Sequence, residues 1–173
     1  NNRFNNIKLK ENAPPKTSNK TYATSKLEFN NPQNLEEKNL FIFENNLSFE
    51  MGDFKDQKFK KVFLVSNKNE NRTIKLGEKL IEFKSQLIED QKKRLEEKSM
   101  DCEIIDLNEI QKINEISYGL YPTVGENLDF INTNNLKIEF LYRKLDQFSW
   151  QYCNKGFFNF KNYIPLIIEK IKN

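Results

Sequence analysis

Histidine is absent from this 173-residue chain. With it go the commonest general base, the Ser-His and Cys-His nucleophile pairs, and most zinc and iron sites. The two cysteines, Cys102 and Cys153, cannot supply a four-thiolate metal site, and two unpaired thiols are the expectation for them. Glycine numbers only 5, and none falls in a GxGxxG or P-loop pattern. The backbone cradles that such glycines open for phosphates are therefore missing. No apolar run approaches the roughly 18 residues of a membrane span. No internal repeat is present.

Small apolar residues are also scarce. Alanine occurs only at Ala13 and Ala23, while Asn, Lys, Ile and Phe abound, the bias that A+T-rich codons produce. Phenylalanine, 15 residues in all, must fill core volume that alanine and valine fill elsewhere. Mean hydropathy is -0.79, on the polar side for a globular chain, and the deficit is local. Residues 1–26 carry Arg3 and five lysines against Glu11 alone, a local +5, which leaves the rest of the chain at −2 within a net charge of +3. A slightly acidic body disfavours a broad phosphate-binding surface, and nucleic acid as a partner with it.

Residues 1–37 hold Pro14, Pro15 and Pro32 among Asn, Ser, Thr and Lys, with no sustained hydrophobic period. The expectation is an extended or disordered N-terminal arm whose isolated apolar residues Phe4, Ile7, Leu9, Tyr22, Leu27 and Phe29 can anchor it on a protein partner. A single α/β domain is expected over 38–173. NLFIFE (39–44), the Asn45-Asn46 turn and LSFEM (47–51) read as a hairpin. FKKVFLVS (59–66) and DCEIIDL (101–107) read as strands flanking a helix at 73–98, the grammar of a parallel βαβ unit. In that helix Leu76, Leu80, Phe83, Leu87 and Leu95 recur at helical spacing, and Leu80, Phe83 and Leu87 are expected inside. A short helix follows Asn108. Residues 120–135 read as irregular, and a second long helix spans 136–154 on the spacing of Leu141, Leu145, Phe148 and Tyr152. The fold class is thus α/β, with mixed α+β as the alternative: a small, mostly four-stranded sheet with an N-terminal hairpin, packed by two long helices and preceded by the extended arm.

Three stretches invite chemistry. SNKNENRT (66–73) is a strand-to-helix turn, where doubly wound folds bind anions, and Ser66, Asn67, Arg72 and Thr73 could touch one. Without glycine there, a polar helix cap is the simpler account. Glu82-Phe83-Lys84 spells the ExK of some nucleases, but it falls in mid-helix rather than on a strand. Tyr118-Gly119-Leu120-Tyr121-Pro122 reads as a packed connector, with a ligand clamp as the sharper alternative.

The aromatic run WQYCNKGFFNFKNYIP (150–165) offers a stacking platform or a core wall. It continues the stripe of the preceding helix, so core wall is the stronger reading. At least two of Phe157, Phe158 and Phe160 are expected to be buried, with Trp150 partly exposed toward a partner. No catalytic residue, metal or cofactor is assigned. The function these patterns favour is a non-catalytic interaction or scaffolding protein, a subunit of a larger assembly or an exported protein held by its arm. The alternative is a nucleotide- or nucleic-acid-binding α/β domain using the 66–73 turn or the 150–163 aromatics.

Overall fold

Five consecutive apolar or weakly polar residues, Asn39–Phe43, are buried without exception, as befits a strand covered on both faces. In the computed structural model this strand, β1, is the centre of the sheet. The structure describes residues 29, 31–49, 52–153 and 156–172, without the side chains of 171 and 172. In chain order β1 is followed by β2 (Lys61–Ser66), α1 (Glu78–Glu97), β3 (Cys102–Asp106), β4 (Ser117–Leu120), α2 (Glu126–Thr133), β5 (Ile138–Leu141), α3 (Lys144–Trp150), α4 (Phe157–Phe160) and α5 (Ile164–Lys172).

The sheet has five strands in the order β3-β2-β1-β4-β5, and every neighbouring pair is parallel. The α/β class and the β2–α1–β3 unit stand as expected from the sequence. The hairpin does not. Asn45 and Asn46 follow β1, but the described residues of 47–59 include no strand; instead Leu47, Phe49, Phe54 and Phe59 pack on the core. Both asparagines reach across to the end of β4: Asn45 Nδ2 donates to Pro122 O at 2.7 Å and Asn46 Nδ2 to Tyr121 O at 3.1 Å.

Alternation in β1 and β2 splits the core into two layers. Leu40, Ile42, Val62 and Leu64 face Ile88 and Leu95 of α1. Phe41, Phe43, Phe63 and Val65 face Leu107 and Ile110 of a 3-10 turn and Ile131 of α2. Gly119 lies in this second layer within β4, so the expected connector at 118–122 is largely a strand. A Cβ on Gly119 would stand 2.9 Å from Ile138 Cγ2 and 3.4 Å from the Phe43 ring, which explains glycine in a buried strand.

Three further expectations are corrected. The second long helix, 136–154, divides into β5 and the short α3, because Ile138 and Phe140 turn to one layer and Leu141 to the other. In α1 the inward residues are Ile88, Gln91 and Leu95, while Leu80, Phe83 and Leu87 are 44%, 54% and 39% exposed. Lys84 and Gln91 hold inward positions by pairing, which displaces the apolar stripe to a flank. Finally, Phe157 and Phe158 are 66% and 81% exposed, so the run after Gly156 is no core wall. The four-residue α4 carries both rings out to solvent, with Lys161 Nζ 5.9 Å over the Phe158 ring.

Phe4, Ile7, Leu9, Tyr22 and Leu27 lie outside the described residues. Phe29 packs its ring 5.1 Å from Tyr142 and 6.0 Å from Trp150, which is half-buried. Asn31 exchanges two hydrogen bonds with the Tyr142 backbone, and Leu35 is fully buried in the first layer. The last residues of the expected arm thus pack on the domain. Cys102 and Cys153 are unpaired.

The Gly119 packing generates a test. Gly119→Ala should destabilise the domain by about 1–3 kcal/mol, the cost of overpacking a close-packed core. Adding Ile138→Ala should remove part of that cost, because the clashing methyl group is gone. Chemical denaturation of the three variants measures both effects, and strictly additive losses would contradict the close approach.

Candidate functional site

The chain leaves β1 toward β2 and β3 on one side, then crosses back to β4 and β5 on the other. The reversal point is the gap between the carboxyl ends of β1 and β4, where open parallel sheets leave a crevice for ligands. Glu44 stands there, one residue past β1. Its Oε1 lies 2.6 Å from Arg72 Nη2 and 2.8 Å from Lys84 Nζ. Arg72 comes from the β2–α1 connection and Lys84 from the second turn of α1. Arg72 Nη1 meets Glu126 Oε2 at 3.2 Å, and Glu126 Oε1 accepts from the Thr73 backbone N–H at 2.9 Å. Glu126 opens α2 directly after Gly125, whose φ of 120° requires glycine.

This cluster is desolvated at its centre: the Arg72 and Glu44 side chains are only 8% and 6% exposed. Burial alone would raise the Glu44 carboxyl. Hydrogen bonds and charge from Lys84 and Arg72 outweigh that and hold it below its ordinary range. Arg72 also donates from Nη2 to Asn67 O at 2.8 Å. With two carboxylates against two cations, the cluster carries no surplus charge.

Three buried polar atoms nearby have no partner among the described residues: Arg72 Nε, Asn67 Oδ1 and one oxygen of Asp106, at the end of β3. The other Asp106 oxygen caps the following turn through Asn108 N and accepts from Asn71 Nδ2. A buried orphan donor or acceptor costs about 1–3 kcal/mol unless water or a ligand meets it. Two small clefts flank the Arg72–Glu44 pair. One, of about 90 Å³, is lined by Asn67, Arg72, Lys84 and Ile88 among others. The second, of about 130 Å³, lies toward Pro122, Val124 and Glu126.

Of the four residues expected to meet an anion, the structure brings Asn67, Arg72 and Thr73 into the cluster. Ser66 turns aside, its Oγ donating to Ile105 O. Arg72 is neutralised by carboxylates rather than free for phosphate. Its partners Glu44 and Glu126 carried no mark in the sequence, since they sit 28 and 54 positions away and meet it only through the sheet order; Lys84, noted in the sequence only as part of an ExK spelling, joins by sharing Glu44. The expected helix start at 73, with its polar cap in the 66–73 turn, is also displaced. The α1 helix starts at Glu78, and the longer connection is braced by the Asn69 side chain on the Leu76 backbone at 2.8 and 3.1 Å.

A larger cleft of about 380 Å³ is lined by Ser48, Gly52 and Asp53 together with Arg143, Lys144, Leu145, Phe148 and Lys170 of α3, α5 and the residue before α3. Its Arg143 is committed to Asp146 and Asn46, and none of the orphaned buried atoms lines it. The chemistry therefore concentrates at the strand reversal, not in this larger cleft. Among the described residues no group of His, Cys, Asp and Glu could hold a metal ion, and no helix is long and apolar enough to cross a membrane. No protein-family model matches the chain, and no match was found among curated proteins or solved structures.

The Glu44 pair has a pH signature. A carboxylate whose folded value lies below its ordinary 4.5 stabilises the fold above that pH and loses its contribution as pH falls through the folded value. Glu44→Gln should cost about 3 kcal/mol at neutral pH, because a buried guanidinium loses its nearest counter-charge. The stability of the variant should also fall less steeply below about pH 4.5 than that of the parent. Urea unfolding at several pH values checks both, and parallel curves would remove Glu44 from the acid response.

Proposed function

We propose that this chain is a non-catalytic binding domain whose crevice at the β1/β4 reversal takes a small polar ligand of the nucleoside class. One observation carries the reading: a buried Arg72 with an unpartnered Nε–H and a buried Asn67 with an unpartnered Oδ1 line the same cleft. A ligand edge presenting an acceptor beside a donor, as nucleobases and carboxamides do, would satisfy both.

Charge argues for the base rather than the phosphate. The cations of the cluster are matched by Glu44 and Glu126, and the glycines that let backbone N–H groups approach a phosphate are missing. The clefts of about 90 and 130 Å³ are small, so only one edge of a planar group would enter and the rest of the ligand would lie outside. The non-catalytic part rests on the same arrangement: the ionised groups are tied to one another, and no histidine is available to move a proton.

Protein interaction remains a second role, favoured by the half-exposed Leu80, Phe83 and Leu87 on α1 and by the bare Phe157–Phe158 pair. The two roles are compatible in one domain.

Thermal unfolding in the presence of nucleosides and their monophosphates tests the ligand reading. At about 100 times its dissociation constant a ligand adds roughly 2.7 kcal/mol, a rise of several degrees for a domain of this size. A nucleoside should produce that rise, its phosphate should add little, and Asn67→Ala should abolish it while leaving the circular dichroism spectrum intact. No rise with any nucleoside at millimolar concentration, or an equal rise with phosphate alone, would overturn the proposal.

A further inference from the structure

The cleft of about 380 Å³ beside α3 holds no reactive group, yet it has the build of a binding site. Its volume falls in the range of about 300–1,000 Å³ usual for small-molecule pockets. Leu145 and Phe148 stand three positions apart on α3 and so share one side of the helix, where they give the cleft an apolar wall.

Arg143 is the fixed point of this cleft. Its Nε pairs with Asp146 Oδ2 at 3.1 Å and its Nη2 donates to Asn46 Oδ1, so two contacts hold the guanidinium plane in place. Its Nη1, with two N–H groups, has no partner among the described residues, and neither has Nζ of Lys144 or of Lys170. The Lys144 backbone N–H donates to Asp53 Oδ2 at 2.5 Å. Three cations therefore meet two carboxylates, Asp53 and Asp146, in a body (residues 27–173) whose net charge is −2. The surplus here is one positive charge. At the strand reversal, by contrast, the charges cancel.

We propose that this cleft binds a small monocarboxylate with an apolar tail, its head on Arg143 Nη1 and the two lysines, its tail along Leu145 and Phe148. Three features select that class. A surplus of one charge matches a carboxylate, whereas a phosphomonoester brings about two. A guanidinium already held from two sides loses little freedom when it donates a further hydrogen bond, and its fork suits a carboxylate. The apolar wall rewards a tail and gives nothing to a small hydrophilic anion. The assignment concerns a different part of the domain from the β1/β4 crevice and does not depend on a nucleoside binding there.

Calorimetric titration of the full chain with decanoate, kept below its micelle concentration, tests the proposal. Decanoate should bind saturably at one site. Decanol, which lacks the charge, and acetate, which lacks the tail, should each bind more weakly by on the order of tenfold or more. Lys170 is exposed, so Lys170→Gln should leave the fold intact, weaken decanoate several-fold and flatten its salt dependence. Leu145, 40% exposed, tolerates a polar replacement; Leu145→Glu should lower the affinity on the order of tenfold with an unchanged circular dichroism spectrum, because it puts a like charge in the apolar wall. Leu80→Glu, on the exposed flank of α1, should leave the affinity as it was. Absence of saturable decanoate binding, equal binding of decanol, or an affinity unmoved by Leu145→Glu or lowered by Leu80→Glu would each overturn the assignment.

Discussion

A guanidinium buried among protein atoms must be neutralised where it stands, and much of this fold's carboxyl edge follows from that requirement. Arg72 cannot remain 8% exposed without Glu44, because an unpaired buried charge costs several kcal/mol. Glu44 ends β1, the central strand; Arg72 belongs to the connection after β2; Glu126 begins the helix after β4. One side chain thus ties together the chain segments that leave three neighbouring strands, β2, β1 and β4. Lys84 extends the constraint to α1 by sharing the same Glu44 oxygen. The asparagine pair after β1 reinforces it with hydrogen bonds to the β4 exit. The connection at 67–77, which has no apolar run of its own, is held down by charge and amide chemistry instead.

That network also accounts for where the sequence was readable. The β2–α1–β3 unit was plain because its strands are buried on both faces and its helix is long. The two strands on the far side of β1 were not. Only four residues long, β4 contains Gly119 and is followed by Tyr121-Pro122, which locally spells a loop; its strand character comes from pairing with β1 and β5. In β5, Ile138, Leu141, Leu145, Phe148 and Tyr152 keep helical spacing across what is in fact a strand, a break and a short helix. Periodicity cannot separate these when each piece is this short.

The error over α1 has a different cause. Counting apolar residues assigns the inward face to Leu76, Leu80, Phe83 and Leu87, the denser stripe. The helix instead turns Lys84 and Gln91 inward, because Lys84 has a buried carboxylate to meet and Gln91 accepts from Arg94. Polar pairing therefore decided the rotation of the helix by a fraction of a turn. The aromatics at 157–158 were misread for a related reason: composition argued for core, but a four-residue helix after Gly156 leaves both rings no facing layer.

Fold and function part company at the strand reversal. A doubly wound parallel sheet places its ligands there, but its best-known occupants use glycine turns and helix N-termini to hold phosphate. Here the first-turn acids Glu78 and Glu126 stand at the starts of α1 and α2, and Glu126 already accepts from the Thr73 backbone N–H. The same position in the fold has been filled by internal charge. In the function we propose, what it offers a ligand is an unpartnered guanidinium N–H on Arg72 beside an unpartnered amide oxygen on Asn67, and recognition there would rest on the edge pattern of a base more than on attraction to a phosphate.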